Sequence, residues 1–259
     1  MKLILKKKKT KVYKVYCNQR TSVVERNDLT SMFFPVGATL ASIKLFQFAV
    51  AQVKAGDKEF KTYKCGIFEL SEKIGVDYHY LSNRSGFLKL VHSLDNLVGE
   101  STNSNGKNVT TIVYLYSMLR SDGKYIEFRL NNDLREYLLD LEQSTENYMK
   151  MLLVGSRRMS SAFSARLYNY IMRYCFFDGR VCNKNINLDT LKKVFGVTDR
   201  KSYTAYNKFD KWVLSVAVDE INLNGEAYIE YEPIRGKRGK VESIKFTIRR
   251  VSIKSTVKK

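Results

Sequence analysis

Apolar positions along this chain follow two periods, one helical and one strand-like, and both appear in the same order twice. Residues 41–54 and 163–175 carry apolar side chains at the three- and four-residue spacing typical of one face of an amphipathic helix. Residues 124–130 and 243–249 alternate apolar with polar or charged side chains, which is typical of a half-buried strand. The pattern therefore predicts a mixed α+β fold in which one unit is used twice.

A short internal repeat supports this division. The segment 70–76, Leu-Ser-Glu-Lys-Ile-Gly-Val, recurs at 191–197 as Leu-Lys-Lys-Val-Phe-Gly-Val, and each copy closes a short amphipathic helix with a glycine. Glycine suits the left-handed turn that ends a helix. A second helical pattern and then a hairpin follow each copy, which is the order of a winged helix-turn-helix domain. We predict two tandem winged helix-turn-helix domains, each a small helical bundle with a β-hairpin wing.

The chain has 259 residues, 44% of them hydrophobic, so each of two domains can bury its own core. The predicted divisions are a basic arm at 1–22, the first winged-helix domain at 23–145, the second at 146–253 and a basic tail at 254–259.

The formal net charge of +19 is segregated along the chain. Successive blocks carry +8 (residues 1–24), −2 (25–149), +9 (150–211), −5 (212–234) and +9 (235–259). A protein kept soluble by charge alone spreads both signs over its surface, whereas segregated positive blocks point to a polyanion such as nucleic acid. For the lysine-rich arm alone, a solvated segment and a phosphate-contacting one both remain open.

The second domain is predicted to carry the recognition helix at residues 203–221, after a helix capped by Ser160 or Ser161. On a regular helix the apolar arc comprises Tyr203, Tyr206, Phe209, Trp212, Val213, Val216 and Ile221. The opposite arc comprises Thr204, Asn207, Lys208 and Lys211, and Arg200 and Lys201 lie just ahead of the first turn. Two alternating strands follow, and the connection between them carries Arg235, Lys237, Arg238 and Lys240.

These residue types fit the chemistry of duplex DNA. The major groove admits one helix, in which asparagine can pair with adenine and lysine or arginine with guanine. A basic hairpin tip beside that helix can hold the phosphate backbone or enter the minor groove. An ordinary amphipathic helix with a solvated face, and a flexible solvated loop, are the alternative interpretations of these two segments.

In the first domain, strands at 109–120 and 124–130 are predicted to flank a turn at Ser121-Asp122-Gly123. The stretch 78–98 between this hairpin and the repeated helix has Gly86 in its middle, so its exposed face is not apparent from the pattern. Here His79, Asn83 and Arg84 are candidates for DNA contacts, with solvated loop or helix residues as the equal alternative.

The sequence lacks the motifs that are typical of metal, nucleotide and membrane sites. The four cysteines contain no C-x-x-C pair, and the two histidines, His79 and His92, are 13 residues apart, so a structural zinc site is not expected. No G-x-x-x-x-G-K-[ST] phosphate loop is present. The apolar start of the chain is too short for a signal peptide or a membrane span. We expect no catalytic site, no metal, no cofactor and no membrane partner, with reduced thiols in the cytoplasm.

Several segments resemble the iteron-binding plasmid replication initiators, the Rep superfamily. The likeness is carried by Phe163-Ser-Ala-Arg-Leu-Tyr168 and by segments 188–197, 206–222 and 229–248, and more diffusely by Asn27-Asp-Leu29 with 41–54. It covers roughly residues 23–250.

The resemblance implies tandem winged-helix proteins that bind directly repeated origin sites as monomers, and that often repress their own promoter as dimers. It also implies that the second domain makes the principal base contacts, while the first supplies the dimer interface and auxiliary DNA contacts. Host replication initiator and helicase are the implied protein partners, in a bacterial cytoplasm and on a plasmid.

Three other functions share part of this pattern. A transcriptional repressor without a replication role would share the DNA chemistry, although no third domain for a ligand is apparent. A rolling-circle nickase would need two histidines separated by one residue, and His79 and His92 do not meet that spacing. RNA binding is open to any basic, tyrosine-rich protein, but no exposed aromatic strand motif stands out.

Overall fold

The computed structural model describes residues 11–15, 17–18, 20–54, 56–102, 104–139, 141, 148–176 and 179–252. The first ten residues of the predicted basic arm and the whole predicted tail at 254–259 lie outside these described residues.

The first half of the chain begins with β1 (Val12–Lys14), β2 (Ser22–Arg26), α1 (Asn27–Ser31) and α2 (Leu40–Val50). It continues with β3 (Thr62–Gly66), α3 (Ile67–Ile74), α4 (Tyr78–Ser82) and α5 (Arg84–Ser93). It ends with β4 (Asn96–Thr102), β5 (Asn108–Tyr114), β6 (Tyr116–Ser121), β7 (Tyr125–Leu130) and α6 (Arg135–Leu138).

The second half begins with β8 (Tyr148–Leu152), α7 (Leu153–Arg158), α8 (Ala162–Met172), β9 (Cys182–Asn187) and α9 (Leu188–Phe195). A π-helical turn (Asp210–Leu214) then joins α10 (Tyr206–Phe209) to α11 (Ser215–Asn224), so that residues 206–224 form one continuous helix. The strands β10 (Ala227–Arg235) and β11 (Val241–Arg250) complete the described chain.

The two halves share one topology, which confirms the prediction of tandem winged-helix domains. In the second half the sheet order is β10-β11-β9, with both pairings antiparallel. In the first half β6, β7 and β3 pair antiparallel in the same order, and β1 adds a parallel strand outside β3. The β6–β7 hairpin therefore corresponds to the β10–β11 wing, and β4 and β5 form an additional antiparallel ribbon inserted before it.

The repeated segments end as the sequence predicts. Gly75 closes α3 with φ 63° and ψ 47°, and Gly196 closes α9 with φ 65° and ψ 40°. Both pairs of angles lie in the left-handed region, which costs residues with a Cβ about 1–2 kcal/mol. The shared glycine thus marks the turn of both helix-turn-helix units.

Two predicted element bounds in the first domain are wrong. The predicted strand 109–120 is divided at Leu115, because its N–H donates to the Asp95 carbonyl (2.8 Å) and its own carbonyl accepts from the Asn131 N–H (3.0 Å). The residues on either side of Leu115 consequently enter two different sheets. The predicted helix 41–54 ends at Val50, where the chain tightens into a turn with a Val53 N–H to Val50 carbonyl bond of 3.0 Å.

The helix α8 lies at the junction of the two domains and is buried on all sides from Ser164 to Met172. It packs against α2 of the first domain and against α9 and α11 of the second. Because one helix serves both cores, polar side chains on it must find partners across the junction. Asn169 accepts from the Gln47 amide (3.1 Å), and the guanidinium of Arg166 donates to main-chain carbonyls of residues 34–38. The division at residues 145 and 146 stays a prediction.

Candidate nucleic-acid interface

The continuous helix of residues 206–224 presents a polar and basic N-terminal half. Its buried side chains face α8 and the wing, and they are Phe209, Val213, Leu214, Ala217, Val218 and Ile221. Asn207, Lys208 and Lys211, which the sequence placed on the polar arc, are all exposed. The N-terminal half of the helix thus carries cations and an amide where a winged-helix protein meets base edges.

The recognition helix begins three residues later than predicted. Lys201–Tyr203 form a separate 3₁₀ turn, and Ala205 is extended (φ −76°, ψ 130°), so the α-helical run starts only at Tyr206. Thr204 therefore lies ahead of the helix, where its hydroxyl donates to the Lys201 carbonyl (3.0 Å). Arg200, Lys201 and Thr204 are exposed in this lead-in segment, so it keeps its two predicted cations at the surface.

The expected burial of Trp212 and Val216 is wrong. Trp212 is 59% exposed and Val216 is 45% exposed. The predicted apolar arc assumes a regular α-helix, but the π turn at Asp210–Leu214 holds more residues per turn and rotates the helix by a fraction of a turn. The rotation keeps Ala217 and Ile221 over the core and leaves Trp212 and Val216 on the side of Lys208.

The acidic groups of this helix are mostly engaged away from that face. Asp210 accepts a hydrogen bond from the Tyr231 hydroxyl (2.6 Å), which fixes the helix to the wing strand β10. Burial, followed by the charge of Asp210, raises the pKa of Tyr206 to about 12. Glu220 accepts from the N–H and the hydroxyl of Ser160 (both 2.6 Å), while Ser161 caps α8 by accepting from the Phe163 N–H (3.1 Å). Of the two predicted caps, Ser161 is the one observed.

The wing tip carries the predicted cations at the surface, since Arg235, Lys237, Arg238 and Lys240 are all exposed. The tip is closed by a Gly236 N–H to Lys240 carbonyl bond (2.9 Å), and the Arg235 guanidinium donates to the Gly239 carbonyl (2.8 Å). Arg238 has φ 74° and ψ 18°, so an arginine occupies a left-handed position. Such a conformation costs of order 1–3 kcal/mol and tends to persist at functional sites.

In the first domain, α5 carries a second basic face. Asn83 caps α5 by accepting from the Ser85 N–H (2.8 Å), and Arg84 is exposed in the first turn. A pocket on this face has a volume of about 790 Å³ and is lined by Gly37, Asn83, Arg84, Ser85, Leu88, Lys89, His92 and Ser93. Lys89 and His92, both exposed, were missed by the sequence interpretation. Their spacing from Arg84 and Ser85 would have indicated a common face once Asn83 was recognised as a cap.

The predicted candidate His79 lies on the short helix α4 rather than on α5. Its ring is exposed, and its centroid lies 5.5 Å from that of Tyr78 in an edge-to-face arrangement. Helices α4 and α5 pack closely because Gly86 has no side chain, and a Cβ there would overlap the Tyr80 carbonyl oxygen. The glycine that obscured the pattern is thus the residue that allows the close contact.

One loop, residues 34–38, separates the two basic faces. Gly37 lines the α5 pocket, and the Cα of Val36 would lie 3.3 Å from a Cβ placed on Gly196. Arg166 anchors this loop from below through the carbonyls of Phe34 (2.9 Å) and Ala38 (3.1 Å). Burial, followed by the charge of Arg200, lowers the pKa of Arg166 to about 10. The α5 face and the turn after α9 therefore flank the same loop.

Within the described part of the chain, no group of three or more His, Cys, Asp or Glu residues is arranged to hold a metal ion. No helix among those residues has the length and apolarity needed to cross a membrane.

Two winged-helix units that each expose a basic helix define a tandem winged-helix protein. The family model "Initiator Replication protein, WH1" matches residues 22–172, and "Initiator Rep protein, WH2" matches residues 187–248. This chain belongs to the initiator replication protein family, and the resemblance seen in the sequence is confirmed.

Among solved structures, the crystal structure of Pi initiator protein in complex with iteron DNA is similar to this chain. It superposes with a TM-score of 0.70 at 18% sequence identity, covering 90% of this chain and 99% of that one. At this identity the similarity shows the tandem winged-helix fold. A search of curated proteins finds no match to this sequence.

Proposed function

We propose that this chain initiates plasmid replication by binding, as a monomer, a specific duplex DNA sequence repeated directly at an origin. The observation that carries the proposal is the exposed face formed by Asn207, Lys208 and Lys211 beside the basic wing tip. A single helix with cations and an amide in its first turns fits the major groove. The Pi initiator protein, which has the same fold, is in complex with iteron DNA in its crystal structure.

The second domain reads the sequence in this proposal. The Asn207 amide pairs with an adenine, and Lys208 or Lys211 donates to a guanine or to phosphate. Arg200, Lys201 and Thr204, ahead of the helix, contact the backbone that borders the groove. Of the wing residues, Lys237, Arg238 and Lys240 hold phosphates or enter the minor groove, while Arg235 braces the tip through the Gly239 carbonyl (2.8 Å).

The first domain adds auxiliary contacts. Arg84, Lys89 and His92 lie on one face of α5, and this face meets the loop that borders the second domain. Asn83 contributes by holding the N-terminus of α5, and His79 lies at the border of this surface. The division into domains at 23–145 and 146–253 belongs to the same proposal.

Self-association, and with it repression of the chain's own promoter, is assigned to the β4–β5 ribbon. Ile112 and Tyr114 on β5 are 55% and 53% exposed, and within the described chain β5 is hydrogen-bonded to β4 alone. An exposed apolar strand with a free edge is suited to pairing with a second copy. In analytical ultracentrifugation, Ile112→Lys should shift the chain from dimer toward monomer and leave its affinity for a single repeat unchanged. A dimer that persists in this variant would contradict the assignment.

The remaining parts of the proposal follow from family membership. The protein acts in the bacterial cytoplasm, catalyses no reaction itself, and brings a host replication initiator and a helicase to the opened origin. Its initiating activity would then reside in binding and assembly.

A salt titration of DNA binding by fluorescence anisotropy tests the central claim. One duplex holds a single repeat from the origin beside the reading frame, and the other holds the same bases scrambled. A preference of roughly a thousandfold or more at physiological salt supports sequence-specific origin binding. Equal affinities with a steep salt dependence would describe a nonspecific basic protein and overturn the proposal.

A further inference from the structure

Two large apolar side chains stand on the exposed face of the recognition helix. Trp212 and Val216 are one turn apart, and both lie in line with Lys208. Lys211 places its Nζ 5.1 Å from the centre of the indole ring, so the pair is part of the same basic surface. A single exposed apolar residue is ordinary, but two adjacent ones inside a cationic face call for a partner with matching chemistry.

The π turn at Asp210–Leu214 contributes to the exposure of this apolar pair. It is anchored by the Asp210 carboxylate, which accepts from the Tyr231 hydroxyl on the wing. On a regular helix Val216 would lie within the apolar arc and Trp212 at its edge. Wide turns of this kind occur frequently at functional sites.

The neighbours of this apolar pair determine what kind of partner fits. Asn207, Lys208 and Lys211 surround its N-terminal side, and the wing supplies further exposed cations. The partner must therefore be polyanionic and still offer apolar groups to a helix. In the major groove of DNA, the apolar group is the C5-methyl of thymine, which is absent from the other bases.

We propose that Trp212 and Val216 are specificity-determining residues that read thymine methyl groups in the major groove. The inference rests on the proposed function and deepens it by assigning part of the base readout to apolar contact. Val216 lies nine positions after Asn207, about 13.5 Å at 1.5 Å per residue, or at most about four base pairs. Trp212 and Val216 thus read base pairs within about four of the one that Asn207 reads.

The C-terminal limit of this contact is marked by Asp219. Its exposed carboxylate would be repelled by phosphate, so the helix leaves the groove at about this residue. Leu223 lies one turn beyond it and is 66% exposed. Leu223 is consequently a matched control, since it is an exposed apolar side chain on the same helix but outside the proposed contact.

The test uses deoxyuridine, which differs from thymidine only by the methyl group. The full chain first selects its preferred duplex from a random-sequence pool. Each thymine of that duplex is then replaced by deoxyuridine, one position at a time, and Kd is measured by fluorescence anisotropy at physiological salt. For the wild-type chain we expect a roughly three- to tenfold loss at one or two adjacent positions, about the effect of one buried methyl group.

Four variants locate the effect. At the thymine that its wild-type side chain contacts, each of the variants Trp212→Ala and Val216→Ala should bind the thymine and deoxyuridine duplexes equally. Leu223→Ala should keep the wild-type discrimination. Lys208→Ala should weaken the thymine and the deoxyuridine duplexes by the same factor. Circular dichroism checks that each variant folds. If Val216→Ala loses structure, Val216→Thr replaces it, because threonine keeps the shape of the valine side chain.

Failure of this inference is distinguishable from failure of the proposed function. If the wild-type chain selects no sequence, the proposed function itself fails. If it selects a sequence but tolerates deoxyuridine at every position, sequence-specific binding stands and the methyl readout is overturned. Discrimination that persists in both Trp212→Ala and Val216→Ala would also overturn it, and would leave the apolar pair to a protein partner.

Discussion

The Nη1 atom of Arg166, on the helix shared by the two domains, lies 2.9 Å from the main-chain carbonyl oxygen of Phe34. The same guanidinium also donates to the carbonyls of Pro35 (2.5 Å) and Ala38 (3.1 Å), and the residue is 2% exposed. A buried cation is tolerated only when its donors are satisfied, and here main-chain carbonyls satisfy them. Arg166 thereby ties the loop between the basic faces to the helix beneath it.

Arg166→Met should destabilise the protein by about 2–4 kcal/mol, because the carbonyls that the guanidinium satisfied become buried acceptors without a donor. The free energy of unfolding, measured by chemical denaturation, checks this. Arg84→Met, which changes an exposed arginine in the same way, serves as the control and should be nearly neutral. Equal losses in the two variants would show that Arg166 has no special structural role.

Gly196→Ala should cost about 1–2 kcal/mol of stability, since φ 65° is a left-handed angle that alanine rarely adopts. The new Cβ would also lie 3.0 Å from Arg166 Nη1. Gly37→Ala is the matched control, because a Cβ there has nothing within 4 Å. Thermal denaturation of both variants makes the comparison, and a drop in Tm for Gly37→Ala equal to that for Gly196→Ala would count against the conformational explanation.

Glu25 on β2 makes stability depend on pH. It is 1% exposed, and burial raises its pKa to about 8, while a hydrogen bond with Asn169 acts in the opposite direction. The folded chain keeps this proton up to about pH 8, but the unfolded chain releases it near the ordinary value of 4.5. The free energy of unfolding should therefore fall as pH rises between these two values, and level off above them.

Glu25→Gln should remove that slope. We expect the variant to be more stable than the wild type at pH 8, by on the order of a few kcal/mol, and similar to it near pH 4.5. Denaturation curves at several pH values check this, with the exposed Glu230→Gln as control. A wild-type curve without any Glu25-dependent slope would mean that the carboxyl is ionised in the folded protein.

Asn207→Ala should reduce the preference for the specific duplex while hardly changing nonspecific affinity. The loss of one good amide–adenine pair corresponds to roughly 1–3 kcal/mol of discrimination. Anisotropy titrations with specific and scrambled duplexes measure both quantities. Equal losses on the two duplexes would rule out base reading by Asn207.

The double change Lys237→Ala with Arg238→Ala should weaken binding to every duplex and reduce the salt slope by about 1–2 units, at about 0.9 per phosphate contact. Lys124→Ala at the corresponding turn of the first domain is the control, because that turn also carries the acidic Asp122. An unchanged slope in the double variant would remove the wing tip from the interface.

The amino-acid sequence by itself determined the order of helix, glycine turn, helix and hairpin in each domain, the duplication, and the positions of both helix-turn-helix corners. These features are local. A helix that ends at Gly75 or Gly196 does so because the backbone there must adopt a left-handed angle, and strands such as Tyr125–Leu130 show their buried face through alternation. The basic character of Lys208, Lys211 and the wing tip was equally apparent, because charge is a property of composition.

Only the tertiary structure decided where regular periodicity is broken. Leu115 divides a run that reads as one strand, because its N–H donates to the Asp95 carbonyl and its carbonyl accepts from the Asn131 N–H, and the two ends of the run enter different sheets. Val216 turns outward because a π turn, joined to the wing by the Asp210–Tyr231 hydrogen bond, changes the rotation of the helix. Arg166 is buried because a loop more than a hundred residues away brings its carbonyls to the guanidinium. Each of these features depends on contacts between segments that are distant in the sequence. The spacing of residues within one segment carries no information about such contacts.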